Sequence, residues 1–282
     1  MTRQIAFEQQ AAGLWTATFD NPPINLIDPD TVGELLQVVA SMENDEEVKV
    51  VVFRSADPDF FLAHWDVAAD QAKLAAIPHG PTGLPPWADL LIQLSRAPAI
   101  SIAEIRGRAR GAGSEFILAC DMRFASRERA ILGQPEVGLG MIPGGNPMAR
   151  LAGLTGRGRG LEIILGADDF SAEVAELYGY VNRAVRDDEI ETFVDSFARR
   201  LASFEKHALT GAKALMNDVS LPPDDVFPPA LTAFRTSSAH PKTRARAASL
   251  FEHGLQQRSE TELHLGRELA RTNFNQKERT AS

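Results

Sequence analysis

The hydrophobic pattern of the chain changes period several times, and each change predicts an element. Residues 5–8 and 14–19, with Thr16, Thr18, Trp15 and Phe19 favouring the pleated state, read as two short strands joined by a turn at Ala12-Gly13. Asn21-Pro22-Pro23 breaks that run. Asp28-Pro29 then reads as an N-cap followed by proline in the first helical turn, and Val32, Leu35, Leu36 and Val39 follow at helical spacing as far as Asn44-Asp45. Residues 48–53 are almost wholly apolar, as in a strand buried on both faces. Between 55 and 87 the pattern is irregular and rich in proline, which predicts a long functional loop with a short helix near 67–75.

A helix over 87–95 leads into a strand over 99–105. After Gly107 come a glycine-rich turn, a short helix over 114–120 and a strand over 122–125. Strands alternating with helices to about residue 185 predict an α/β layered core. From Asp187 onward the spacing is helical, carried by Phe193, Phe197, Ala198 and Leu201 and then by Ala212, Leu215 and Met216. Pro222-Pro223 and Pro228-Pro229 divide further helices. The expected organisation is an α/β core followed by a helical extension.

Composition narrows the classes of function. In a chain of 282 residues, 44% hydrophobic and 24% charged positions are ordinary for a soluble globular protein. The net charge of −9 argues against a nucleic-acid backbone as the main ligand, because that binding relies on clustered Lys and Arg. Cys120 is the only cysteine, so no intrachain disulfide is possible and a reducing, cytoplasmic compartment is the simplest expectation. The first ten residues do not read as a signal peptide, and no apolar run approaches the roughly 18 residues needed to cross a bilayer. His79, His207, His240, His253 and His264 show no metal-ligand spacing, so no metal is expected. Neither a Walker loop nor a G-x-S-x-G elbow is present.

Two loops follow apolar runs and hold candidate chemistry. The first contains Phe60-Phe61-Leu62-Ala63-His64-Trp65-Asp66. The second runs from Gly107 through Arg108, Arg110, Gly111, Ala112 and Gly113 to Glu115. Glycines there permit tight turns and close approach of a ligand, and the helix beginning beside them offers free N–H groups that could stabilise an oxyanion. A plain strand-to-helix turn has the same composition. Glu115 lies in the first helical turn, where the dipole favours a carboxylate, and Glu136 follows 21 positions later among apolar neighbours that would raise its pKa. Two carboxyl groups facing one pocket can divide acid and base work; two loop glutamates can equally be solvated.

The ordered set of segments is similar to the crotonase superfamily, best known for enoyl-CoA hydratases and isomerases. The resemblance rests on Asn21-Pro22-Pro23-Ile24-Asn25-Leu26, Phe61 to Asp66, Gly107 to Glu115, Cys120-Asp121, Gly133-Gln134-Pro135-Glu136, and Gly140-Met141-Ile142-Pro143-Gly144-Gly145, with Arg150-Leu151 after them. It covers about residues 20–185; the C-terminal third is similar only in being helical. It implies a spiral of ββα repeats forming an α/β catalytic core over 1–200, with a helical region over 201–282 used for contacts in a homotrimer or dimer of trimers. It also implies a coenzyme A thioester as substrate, with no further cofactor.

By the same resemblance, the backbone N–H groups of Trp65 and Ala112 bind the thioester oxygen. Leu26, Ala63, His64, Asp66 and Gly111 line the CoA or acyl site, and Glu115 and Glu136 are the acid/base pair of a hydration. An enoyl-CoA isomerase, an acyl-CoA hydrolase and a catalytically silent CoA-binding scaffold are the alternatives on this fold. Two positions depart from the pattern: His64 and Ala112 stand where glycines are usual. Either the first loop avoids a positive φ or the oxyanion geometry is altered. His64 could contact the acyl group or a phosphate, or merely cap the loop. Trp65 and Trp87 could wall an acyl pocket or simply pack in the core. Arg106, Arg108 and Arg110 could meet CoA phosphates or a subunit-interface carboxylate, and Lys73 is a further candidate for CoA, a solvated face being the commoner outcome for such charges. Ile142 occupies the place of the nucleophilic aspartate of dehalogenating relatives, which disfavours that reaction.

Overall fold

The computed structural model describes residues 3–271. Strands β1 (Ile5–Ala11) and β2 (Leu14–Phe19) form an antiparallel hairpin with Ile5 opposite Phe19. Helix α1 (Pro29–Asn44) starts as the sequence predicts: the Asp28 carboxylate accepts from Thr31 N at 2.8 Å, and the Thr31 side chain accepts in return from Asp28 N. Next come β3 (Val50–Ser55), β4 (Phe60–Leu62), α2 (Gln71–Ala76), α3 (Pro86–Arg96), β5 (Ile100–Ile105), β6 (Arg108–Arg110) and α4 (Ala112–Ala119). They are followed by β7 (Met122–Ser126), β8 (Ile131–Gly133), α5 (Glu136–Leu139), α6 (Pro147–Gly166), β9 (Asp169–Ser171), α7 (Ala172–Tyr178) and β10 (Arg183–Val185). The remainder is helical: α8 (Ile190–Ala202), α9 (Lys206–Ser220), α10 (Phe227–Ser238), α11 (Pro241–Glu252) and α12 (Glu260–Leu263).

The strands alternate between two sheets. One sheet has the order β1-β2-β3-β5-β7-β10 and the other β4-β6-β8-β9. Successive turns of chain therefore give one strand to the large sheet, one to the small sheet, and then a helix: β3-β4 with α2 and α3, β5-β6 with α4, β7-β8 with α5 and α6. This is the ββα spiral of the crotonase fold. The apolar run at 48–53 is buried on both faces because Val51 and Phe53 face a core containing α1, α3 and α4, while Val50 and Val52 face Ile190, Val194 and Ala198 of α8. Phe19, Phe53 and Phe116 meet in the first core, Phe116 edge-on to the other two at 5.5 and 5.0 Å.

The structure departs from the expected elements in the small sheet. Residues 60–62 and 108–110, expected as loop and turn, are strands of three residues each, and so are 131–133 and 169–171, where the sequence predicts no particular element. A three-residue strand is too short to show a period, and its stability comes from neighbours distant in sequence. The basic residues are also corrected. Arg110 is 1% exposed, pairs through two nitrogens with Asp169 at 2.6 and 2.8 Å, and donates to the Glu262 carbonyl at 2.6 Å. Arg108 donates to the Leu263 carbonyl at 2.9 Å, Arg106 to the Asp187 carbonyl at 2.7 Å, and Lys73 to Asp30 at 2.9 Å. Arg108 and Arg110 thus tie the C-terminal backbone to the small sheet, while Arg106 and Lys73 sit in partly exposed ion pairs with Asp187 and Asp30.

In the C-terminal region, Lys213 of α9 is buried against Asp121 at 2.7 Å, whereas Leu215, Met216 and Val219 are 72%, 64% and 82% exposed. Beyond α11 the chain folds back, and Leu250, Leu255, Leu265 and Leu269 cluster with Leu139. The end of the expected helical region, 272–282, lies outside the described residues, as do residues 1–2. Among the described residues, no helix is long and apolar enough to cross a membrane. The Asp28 cap gives a direct check on α1: Asp28→Ala should cost about 1 kcal/mol in urea unfolding, the usual loss for a removed N-cap. An unchanged midpoint would show that the cap is dispensable.

Candidate active site

Strands β4, β6 and β8 run parallel, with Phe60 opposite Arg108 and Arg108 opposite Ile131. Their C-terminal ends therefore lie on one side, and in α/β sheets that is the side on which ligands bind. The loops leaving these ends are 63–66, 111–115 and 134–136. They carry every catalytic candidate predicted from sequence.

Ile27 bridges Trp65 in the parallel sense: Ile27 N donates to the His64 carbonyl at 2.9 Å, and Asp66 N donates to the Ile27 carbonyl at 2.9 Å. That pattern turns the Trp65 N–H to the opposite side, where it meets no acceptor among the described residues. Ala112 is the first residue of α4, so its N–H is one of the orphan donors of a helix start, and it too meets no acceptor among the described residues. Gly111 makes this junction with φ +51°, and a Cβ there would lie 2.8 Å from Glu136 Oε1 and 3.5 Å from His64 Cβ. The first two loops and Glu136 are thus in contact around Gly111. His64 is not among the residues with positive φ, so the first loop avoids the conformation a glycine would permit.

The carboxyl groups differ in surroundings. Glu115 is buried; its Oε1 accepts from Gly145 N at 2.8 Å and its Oε2 from Trp87 Nε1 at 2.9 Å. Gly145 is required for this contact, because a Cβ there would sit 2.3 Å from Glu115 Oε2. Burial raises the Glu115 pKa, while the Trp87 and Gly145 donors and the charge of Arg150 favour its anion. Glu136 opens α5 and is also buried, with Oε2 unpartnered among the described residues. Burial, reinforced by the Glu115 charge, pushes its pKa up to about 8. Burial thus pushes both carboxyl groups up as a coupled pair, and Glu115 is the one whose two oxygens meet N–H donors that favour its anion.

Behind the pair, Gln134 Nε2 donates to Ser114 Oγ at 2.8 Å, and Ser114 hydrogen-bonds Tyr180. Trp87 packs edge-on to Trp65 with ring centres 5.9 Å apart, so the two indoles form one wall beside Glu115. Ala63 is fully buried with Ile24 and Phe60, and Leu26 packs against them. The Asp66 carboxylate accepts from Ala68 N at 2.9 Å and Gln256 Nε2 at 2.7 Å, so it fixes the loop. His64 has both ring nitrogens engaged, one with the Trp65 carbonyl at 2.8 Å and the other with Glu262 at 2.9 Å. Sequence reasoning left Trp87 as either an acyl wall or core packing and missed its bond to Glu115, and it missed Gly145 and Glu262 as supports. The glycine pair at 144–145 was the available signal; Glu262 offered none, being 198 positions from its partner. Among the described residues no group of His, Cys, Asp and Glu could hold a metal ion.

A spiral of ββα units with paired carboxyl groups at the strand ends defines a class. The family model for enoyl-CoA hydratase/isomerase matches residues 9–244. The chain is 32% identical over 196 residues to the short-chain-enoyl-CoA hydratase of Clostridium acetobutylicum, covering 69% of this chain and 73% of that protein. It is also 32% identical over 197 residues to the crotonyl-CoA hydratase of Syntrophomonas wolfei, covering 69% and 74%. A crystal structure from Streptomyces avermitilis, itself only provisionally designated an enoyl-CoA hydratase, superposes with a TM-score of 0.90 at 44% identity over 95% of this chain and 96% of that one. The chain belongs to the enoyl-CoA hydratase/isomerase family, the crotonase superfamily.

The raised Glu136 pKa makes a prediction about stability. A carboxyl group whose folded pKa exceeds its unfolded one stabilises the fold while protonated in both states, and that contribution is lost as pH rises through the folded pKa. Glu136→Gln should therefore unfold at increasingly higher urea concentration than the parent as pH goes from about 4.5 to about 8, the gap reaching on the order of 2–4 kcal/mol. A gap independent of pH would place the proton elsewhere.

Proposed function

We propose that this enzyme adds water to a 2-enoyl-CoA thioester, giving a 3-hydroxyacyl-CoA. Its membership of a hydratase-like enzyme family supports the class of reaction. The single observation that carries the mechanism is the unequal environment of two buried carboxyl groups: one holds both oxygens as acceptors, and the other keeps an oxygen unpartnered. Glu115, ionised, takes a proton from water as its oxygen bonds to the β-carbon. The double-bond electrons move to the thioester oxygen as an enolate. The N–H groups of Trp65 and Ala112 receive that oxygen, and loss of one such donor commonly costs on the order of 10²–10³ in rate. The enolate collapses as its α-carbon takes the proton of Glu136. One proton then passes between the two carboxyl groups to restore the starting state.

Leu26, Ala63, His64, Asp66 and Gly111 form the CoA and acyl side of this site in the proposal, with Trp65 and Trp87 as the acyl wall. The exposed Leu215, Met216 and Val219 are the surface by which the helical region, 201–282, would join subunits into a trimer or a dimer of trimers.

Crotonyl-CoA hydration, followed by loss of the enoyl absorbance, tests the roles. Glu115→Ala and Glu136→Ala should each lower kcat by about 10³-fold or more, with binding of the thioester retained. Loss confined to Glu136→Ala would move the reaction to isomerisation, which needs one shuttling carboxylate. Thioester binding without turnover in the parent enzyme would leave a CoA-binding scaffold.

A further inference from the structure

We infer that His64 is an imidazolium ion paired with the buried Glu262 carboxylate, and that this pair acts as a positioning and charge-supplying element for the Trp65 oxyanion donor. The inference rests on the hydration reading above and deepens it.

His64 is only 8% exposed, and its two ring nitrogens face the Trp65 carbonyl at 2.8 Å and Glu262 Oε1 at 2.9 Å. A carbonyl can only accept, and so can a carboxylate. A neutral imidazole has one N–H, so donating to both needs the doubly protonated ring. The alternative places that same proton on Glu262. Imidazole exceeds a carboxylate in basicity by about two pK units, and Glu262 Oε1 already accepts from Gln256 N at 2.7 Å, which favours its anion. Glu262 Oε2 is buried with no partner among the described residues, so a proton there would have no acceptor.

The charged groups facing His64 come from three elements. Glu262 lies on α12; Arg110 lies on β6, where Asp169 engages its guanidinium through two bonds; Glu136 lies on α5. Burial lowers the His64 pKa, but Glu262 and the Trp65 carbonyl outweigh it and leave it raised. Burial likewise raises the Glu262 pKa, and His64, the Gln256 amide and Arg110 outweigh it in the other direction.

This pair ties the first loop to the chain's own C-terminal segment. Gln256 of that segment bonds Asp66 at 2.7 Å, and Arg110 bonds the Glu262 carbonyl at 2.6 Å. Residues 64–66 are therefore held from one side by Ile27 and from the other by residues 256–262. Where the family pattern has a flexible glycine, this chain has a residue anchored at both ring nitrogens. A cation next to the Trp65 peptide also favours the enolate that forms on its N–H.

The test uses the full chain with ¹⁵N-labelled histidine. Ring-nitrogen shifts are followed from about pH 6 to 9 in the parent and in Glu262→Gln, together with kcat and KM for crotonyl-CoA hydration. The parent should keep both His64 nitrogens protonated at pH 7. Glu262→Gln should lower the His64 midpoint by more than one unit, about a tenfold change in proton affinity. Its kcat should fall about tenfold more than the parent's between pH 6 and 8.5, with KM within about twofold. A neutral His64 in the parent at pH 7, or an unaltered pH–rate profile in the variant, would overturn the inference. If Glu262→Gln does not fold, the parent's nitrogen shifts decide alone. If the parent does not hydrate enoyl thioesters, the hydration reading fails while those shifts still decide the state of the pair.

Discussion

The site exists because three very short strands pair in parallel and end together. β4, β6 and β8 hold only three residues each, yet their pairing sets the positions of the Trp65 amide, the start of α4 and the start of α5. Each candidate group lies within a few residues of a strand end, so its position is fixed by the sheet and not by a long loop. A slip of one residue in either pairing would exchange the faces of the small sheet and scatter the groups. Packing enforces the register: a Cβ on Gly113 would lie 2.1 Å from the Leu62 carbonyl, so α4 can sit against β4 only with glycine there.

Around this frame the electrostatics are local. A chain with net charge −9 buries Glu115 and Glu136 beside one another, and it tolerates them by treating them differently. Glu115 receives two N–H donors and a nearby arginine, while Glu136 receives little and keeps a proton. The asymmetry comes from position: Glu115 faces the Trp87 indole and the Gly145 amide, and Glu136 faces Gly111 and the charge of Glu115. The same economy holds for the cations. Arg108 and Arg110, which a charge pattern would aim at a phosphate, instead bind the backbone of the C-terminal segment and fix its course over the first loop.

Much of this was legible in sequence. The Asp28 cap, the doubly buried strand expected at 48–53 and found at 50–55, and the strand pair within 5–19 follow from spacing and composition, because their signals are local. Glu115 and Glu136 were identified from glycine-rich context and a family resemblance, and the fold brings their loops together. The small sheet was not legible, since its strands are shorter than any period. The Trp87–Glu115 and His64–Glu262 bonds were not legible either, as they join residues 28 and 198 positions apart. Alternation of Arg106, Arg108 and Arg110 misled for a related reason: a basic run next to a loop looks solvated until its distant acceptors are placed beside it.

The most direct measurement is a crystal structure with a non-reactive acyl-CoA thioester bound. The thioester oxygen should lie about 2.7–3.1 Å from both the Trp65 and Ala112 nitrogens, with the β-carbon facing Glu115 and the α-carbon facing Glu136. An oxygen bound away from either amide, with the acyl chain remote from the two glutamates, would contradict the assignment of this strand-end cluster as the catalytic centre.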